Sequence, residues 1–255
     1  MHSTPSTRLS IAALLGVLTL GAGCTAAEEP AEPAEPSELA TRGEQIFTSE
    51  VEDGNTFTCS TCHAISEPVE DRIRRVGHPL FDAVRRPTYK NGQLTELRDA
   101  VNSCLQEWMN AEPWTAADER WLALEEYLES VAPDEEAEPL RFEVVDPPPV
   151  SALGGGDAEA GRSLFNQSCS ACHGEDGIGS QLAIPVGGRG LDPEYVAQRV
   201  RTSGRTQSEV YNGLTGGVMP FWAADRLSDD ELRDLIAWLE IEQAPVDPPN
   251  DPPND

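Results

Sequence analysis

Apolar residues recur at helical spacing in several short stretches, separated by intervals rich in proline, glycine and acids. Leu94, Leu97, Val101 and Leu105 share one face of a helix predicted over residues 94–110. Trp121, Leu124, Leu128 and Val131 share another, opened by a candidate capping box from Thr115 to Asp118. Ser228 and Glu231 form a clearer box ahead of the stripe Leu232, Leu235, Ile236 and Leu239. Two earlier stretches match each other. Gly43-Glu44-Gln45-Ile46-Phe47 suits an amphipathic opening helix, and Gly161 and Phe165 echo it in a helix that Asp157 can cap. Two short helices are expected over residues 193–201 and 206–212. The predicted elements are helical, so the fold class is all-α.

Each of the two matching helices is followed by the same pentapeptide pattern. Cys59-Ser60-Thr61-Cys62-His63 stands in the first half and Cys169-Ser170-Ala171-Cys172-His173 in the second. Cys-x-x-Cys-His is the attachment signature of a c-type haem. The thiols form thioethers to the porphyrin vinyl groups, and the adjacent histidine is placed to ligate the iron. A zinc site or redox dithiol is the alternative for a Cys-x-x-Cys pair. Zinc normally needs a second Cys/His pair, and neither motif has one within a short loop. The repeated signature implies two covalently bound haem c groups and a divergent duplication: helix, haem motif, loops, closing helix.

The intervals supply the punctuation. Residues 1–24 read as a secretory signal, with Arg8 before an apolar run over residues 11–20 that is too short to span a bilayer comfortably. Gly21-Ala22-Gly23-Cys24 resembles a bacterial lipobox, whose cysteine is lipidated; an ordinary signal peptide with an incidental Cys24 is the alternative. Residues 25–38 form a Pro/Glu spacer, 39–132 a first haem domain, 133–156 a Pro/Gly/acidic linker, 157–243 a second haem domain, and 244–255 a tail of disordered composition. The linker's length leaves the angle between the domains open.

Composition narrows the partners. Of the 255 residues 38 % are hydrophobic, low for one large core, and a covalent macrocycle supplies apolar core to a small domain. The formal charge of −27 excludes nucleic acid as an electrostatic partner and steers a redox protein with a basic docking patch toward the chain. Against that background Arg72, Arg74, Arg75, Arg85 and Arg86 gather around His78. They can pair with haem propionates, or form an anion pocket suited to thiosulfate or tetrathionate.

From Gly161 onward the sequence resembles class I cytochrome c, on Gly161, Phe165, Cys169, Cys172, His173, Met219-Pro220 and the closing helix with Trp238. The resemblance implies that Met219 is the distal iron ligand. The first half lacks that methionine loop. Gly77-His78-Pro79, Arg86-Pro87-Thr88-Tyr89, Val101-Asn102-Ser103-Cys104 and Trp108-Met109 resemble the haem domains of thiosulfate dehydrogenases and of the dihaem cytochrome of the Sox system. That resemblance implies Cys104 as distal ligand to the haem of His63, with Met109 and His78 as the other candidates. A thiolate stabilises ferric iron, so a His/Cys haem lies at lower potential than a His/Met haem.

The resemblances imply two tandem cytochrome c-like domains and export to the periplasmic face of a bacterial membrane, anchored by a lipid at Cys24 or soluble in the periplasm. The expected function is electron transfer from the first haem to the second. The alternative is an oxidoreductase of the thiosulfate dehydrogenase kind, with Cys104 at the reacting haem. A dihaem peroxidase finds no convincing ligand set.

Overall fold

The computed structural model describes residues 35–143, 145–203, 206–207, 215–216 and 219–242. The stretch expected to be a secretory signal, Cys24, nearly all of the acidic spacer and the C-terminal tail lie outside them. Eight α-helices stand among the described residues: α1 (Glu38–Thr48), α2 (Cys59–Cys62), α3 (Leu97–Glu107), α4 (Glu119–Val131), α5 (Ala158–Ser168), α6 (Ser170–His173), α7 (Pro193–Thr202) and α8 (Asp229–Leu239). The departures from an all-α fold among these residues are a two-residue antiparallel ladder, β1 (Thr206–Gln207) with β2 (Thr215–Gly216), and two isolated bridges, Tyr89 with Leu94 and Arg189 with Glu242. A helix was expected to begin at Thr206. Its first two residues are extended, and the rest of that expected helix, 208–212, lies outside the described residues.

Helix starts follow side-chain capping. Ser37 accepts from the Ala40 amide at the head of α1, and Asp157 from those of Glu159 and Ala160 at α5. Ser228 and Glu231 close the expected box on α8. The start of α4 differs from expectation. Asp118 itself caps it by accepting from the Arg120 amide, and Thr115 lies in the preceding turn, its carbonyl taking the Asp118 amide.

Two helix crossings organise the fold: α1 packs on α4, and α5 on α8. Each crossing is made on a glycine. A Cβ at Gly43 would lie 2.0 Å from the Ala123 carbonyl oxygen, and one at Gly161 1.9 Å from that of Asp234. Phe47, Leu105, Trp121, Leu124 and Leu128 form the core around the first crossing. Phe165, Val200, Leu232, Leu235, Ile236 and Trp238 form that around the second.

The two cores belong to one compact unit beginning at Pro36. Its seam is ionic. Arg226 holds Glu67 through two bonds of 2.9 and 2.6 Å, Arg74 holds Glu231 at 2.6 Å, and His78 Nε2 meets Asp225 Oδ2 at 2.6 Å. The stretch with linker composition joins this packing. Asn91 exchanges side-chain hydrogen bonds of 2.9 and 3.0 Å with the Phe142 backbone, and the Phe142 ring stacks on His78.

Candidate functional site: two cavities behind the paired cysteine motifs

The first motif forms the one-turn helix α2, which Thr58 opens by accepting from the Thr61 amide. His63 follows as its cap, and His63 Nδ1 lies 2.8 Å from the His78 carbonyl oxygen. A carbonyl only accepts, so Nδ1 carries the proton and Nε2 is left with its lone pair, the state an iron ligand requires. Burial holds the ring neutral, lowering its pKa to about 4. Gly77 permits this placement, since a Cβ there would meet His63 Cε1 at 2.3 Å.

Cys59, Cys62 and His63 line one cavity together with residues of α3: Val101, Cys104 and Leu105, and Met109 just beyond it. The three distal candidates are therefore all on its wall, and they differ in how they are held. Met109 is buried in the first core among Phe47, Leu105 and Trp121. His78 spends Nε2 on Asp225 and its carbonyl on His63. The sulfur of Cys104 lies 3.4 Å from Lys90 Nζ. Pro220 and Phe221, which follow Met219, also line this first cavity.

The second motif repeats the arrangement. His173 closes α6, and its Nδ1 lies 3.1 Å from the Ile184 carbonyl oxygen. Burial lowers the pKa of His173 as well. A second cavity brings Cys169, Cys172, His173 and Met219 together, with Thr61 and Cys62 of the first motif also on its wall. The Met219 loop is pinned from α7: Ser203 Oγ donates to the Met219 carbonyl, and the Trp222 amide donates to Val200 at 2.7 Å.

Several features of these cavities fit a haem. Burial pushes the Cys59 and Cys169 thiols up to about 12, and raises Cys62 and Cys172 as well. Zinc ligands and reactive dithiols need thiolates, whereas a thioether has no proton to lose. Among the described residues no three His, Cys, Asp or Glu side chains converge as a metal-binding set. Each cavity also carries a buried hydroxyl without a protein partner on or against its wall, Thr88 Oγ in the first and Ser168 Oγ in the second. Such a hydroxyl suits a propionate, because an unsatisfied buried polar group is costly.

The arginine cluster does not assemble as one pocket. Arg75 bonds Asp71 and the Ser60 carbonyl, Arg85 bonds Glu129 and the Pro133 carbonyl, and Arg86 bonds Asp82 and the Pro79 carbonyl. Of the five, Arg86 lines the first cavity, and Arg74 and Arg75 line the second. Two residues were missed in the sequence. Lys90 at the Cys104 sulfur had a compositional signal, since it is the only lysine in the chain. Arg201, with a fully buried side chain, binds the Trp222 and Leu227 carbonyls and Asp229. Nothing in its local sequence marks it as buried.

The profile of the family described as cytochrome C oxidase, cbb3-type, subunit III matches residues 156–239. A thiosulfate dehydrogenase of Stutzerimonas stutzeri (strain A1501) is 26% identical over 221 residues, 83% of this chain and 69% of that protein. The solved structure of thiosulfate dehydrogenase (TsdBA) from Marichromatium purpuratum, in its as-isolated form, matches at 20% identity with a TM-score of 0.42. That match covers 87% of this chain, which spans half the length of the solved one. Cytochrome c6 of Bryopsis maxima is 33% identical over 85 residues, 33% of this chain and 91% of that protein. With the match reaching across nearly all of cytochrome c6, and the attachment cysteines and histidine gathered at a cavity, the chain belongs to the c-type cytochromes, the electron-transfer proteins that hold haem c covalently.

Proposed function

We propose that the chain is an exported dihaem cytochrome that passes electrons from a low-potential first haem to a second haem at higher potential. Cys59 and Cys62 tether the first, with His63 and Cys104 as its iron ligands. Cys169 and Cys172 tether the second, with His173 and Met219. Haem c supplies an iron that cycles between ferric and ferrous and a macrocycle that fills an apolar cavity. The protein's own part is to hold each histidine as the Nδ1–H tautomer, to close the cavities against water, and to set the potentials through the distal sulfur.

The observation that carries this reading is the contrast between the two cavities. Cys104 faces the first from a helix, with an ammonium at its sulfur and Met109 packed in the core. Met219 stands in the second beside His173. The relation between the cavities supports transfer from one to the other, since Cys62 lines both. Electrons leave to a redox partner carrying a basic patch, as the acidic charge favours. The protein works at the periplasmic face of a bacterial membrane, held by a lipid on Cys24. Among the described residues no helix is long and apolar enough to cross a membrane.

A second reading makes the first haem a reaction site for sulfur anions. It is favoured by the thiosulfate dehydrogenase relative, which aligns along both halves, and by the two cations Arg86 and Lys90 on the first cavity's wall. Two thiosulfates would couple to tetrathionate, releasing two electrons to the haems.

Low-temperature EPR of the oxidised protein tests the ligand sets, read beside the visible spectrum. A low-spin signal with the narrow g-spread of thiolate ligation, together with a methionine-type charge-transfer band, is expected. Two His/Met signals would overturn the first-haem assignment. Haem reduction by thiosulfate, lost in Cys104→Gly with haem retained, would establish the second reading, and no reduction by any sulfur anion would remove it.

A further inference from the structure

The chain carries 18 lysines and arginines, and Lys90 is its single lysine; every other cation is an arginine. That lysine stands where the backbone is least comfortable. Lys90, Asn91 and Gly92 have φ of +51°, +58° and +85°, three consecutive left-handed residues of which only the last is glycine. The turn is held from both sides. Tyr89 and Leu94 bond each other's backbone at 2.8 and 3.2 Å, and the Asn91 side chain is clamped on Phe142. The product of this unfavourable turn is an ammonium on the wall of a largely apolar cavity, 3.4 Å from the Cys104 sulfur.

The choice of lysine over arginine has a chemical meaning here. Arginine is a planar fork suited to carboxylates, and among the described residues it supplies the cation of the seam pairs with Glu67 and Glu231 and of the surface pair with Glu129. A lysine is a compact point charge that can approach a single sulfur atom without demanding a second acceptor. A charge-assisted hydrogen bond to a thiolate withdraws electron density from it, and groups outside the first coordination sphere tune a metal in this way. Less donation from sulfur to iron leaves the ferric state less stabilised.

We propose that Lys90 is a positioning residue for the first haem. Its ammonium donates to the Cys104 sulfur, fixes the direction in which that sulfur faces, and holds the haem's potential above that of an unpaired thiolate ligand. The proposal rests on the assignment of Cys104 as iron ligand, and its test separates the two.

Potentiometric titration and EPR of the full dihaem protein are compared among wild type, Lys90→Met and Lys90→Arg. In Lys90→Met the first haem shifts to lower potential and its thiolate g-values change, with the second haem unmoved; Lys90→Arg recovers most of the shift. A wild-type thiolate spectrum with potential and g-values unchanged in Lys90→Met overturns the role of Lys90 and leaves Cys104 as ligand. A wild-type spectrum without thiolate character overturns both. A second measurement needs no variant. Protein labelled with 13C,15N-lysine contains one lysine spin system, whose side-chain resonances are expected far from their usual positions in the ferric state and to move on reduction. Resonances at ordinary positions in both states overturn the placement.

Discussion

Gly43 in the first half and Gly161 in the second hold the same place in two copies of one helix crossing, yet the cavities of the two halves are finished differently. In the first, Cys104, the proposed distal ligand, stands on α3, a regular helix held by backbone hydrogen bonds and side-chain packing. In the second, Met219, the proposed distal ligand, stands in a loop pinned by Ser203 and by the Trp222 amide. Sites carried on helices are positioned more tightly than sites on loops. On the proposed assignment, a repeated frame leaves each half free to use its own distal ligand, because Cys104 and Met219 lie outside the crossing that holds the frame together.

The sharpest way to break the comparison is to attack the shared device. Alanine in a helix interior ordinarily gains about 1 kcal/mol over glycine. At Gly43 and Gly161 the added Cβ would lie within 2.0 Å of a facing carbonyl oxygen, so the sign reverses. Each substitution is expected to cost about 3 kcal/mol net through forced separation of the helices, read from denaturant unfolding. If either one proves neutral or stabilising, that crossing is not made on its glycine.

Arg201 is the one buried charged residue among the described residues. It is a fully buried cation whose Nη1 joins the carbonyls of Trp222 and Leu227, on the far side of the Met219 loop. Arg201→Met is expected to destabilise by about 3 kcal/mol, because two carbonyls lose their donor in the interior. It should also weaken the methionine-type charge-transfer band while leaving the EPR of the first haem unaltered. Retention of the full band would separate Arg201 from the seating of Met219.

These two cases mark what could be read from the sequence. Helices α4 and α8, the caps Asp157 and Ser228, the paired Gly and Phe positions and both attachment motifs were legible, because each is encoded within one or two helical turns. The start of α4 was misplaced by the turn at Thr115, where Asn102 of the preceding helix α3 binds the Trp114 amide and carbonyl. Phe142 was hidden by its composition, since a Pro/acid stretch reads as linker while one aromatic in it packs on His78. Lys90 and Arg201 act on partners brought near by tertiary folding. No local pattern announces such contacts.

A smaller effect sharpens the ligand contrast. Met109→Leu conserves volume in the first core and is expected to cost less than about 1.5 kcal/mol, with both haem spectra intact. Met219→Leu should cost similarly little in stability but abolish the charge-transfer band. If Met109→Leu removes a methionine band instead, the first haem is His/Met and Cys104 is a buried thiol.

The weakest expected effect concerns the seam, where the two halves meet through groups whose titration runs in one direction. Arg226 holds the Glu67 carboxyl below its ordinary 4.5 by hydrogen bonding. At Glu231 burial works upward, but hydrogen bonds from Arg74 and Ser228 outweigh it and the pKa falls. A depressed carboxylate contributes stability above its unfolded value, lost as pH falls through the folded one. His78 is lowered from 6.5 by burial, with Asp225 opposing, so the unfolded chain takes up that proton first and stability declines below about pH 6.5. All three therefore weaken the seam in acid. Each partly exposed pair is worth about 1 kcal/mol or less. Amide hydrogen exchange should show α4 and α8 protected to a similar degree at pH 7 and diverging near pH 4, with Glu67→Gln flattening the change between pH 5 and 3. Equal protection of the two helices at both pH values would mean that the apolar contacts around Phe142 and Phe221, rather than the ion pairs, couple the halves.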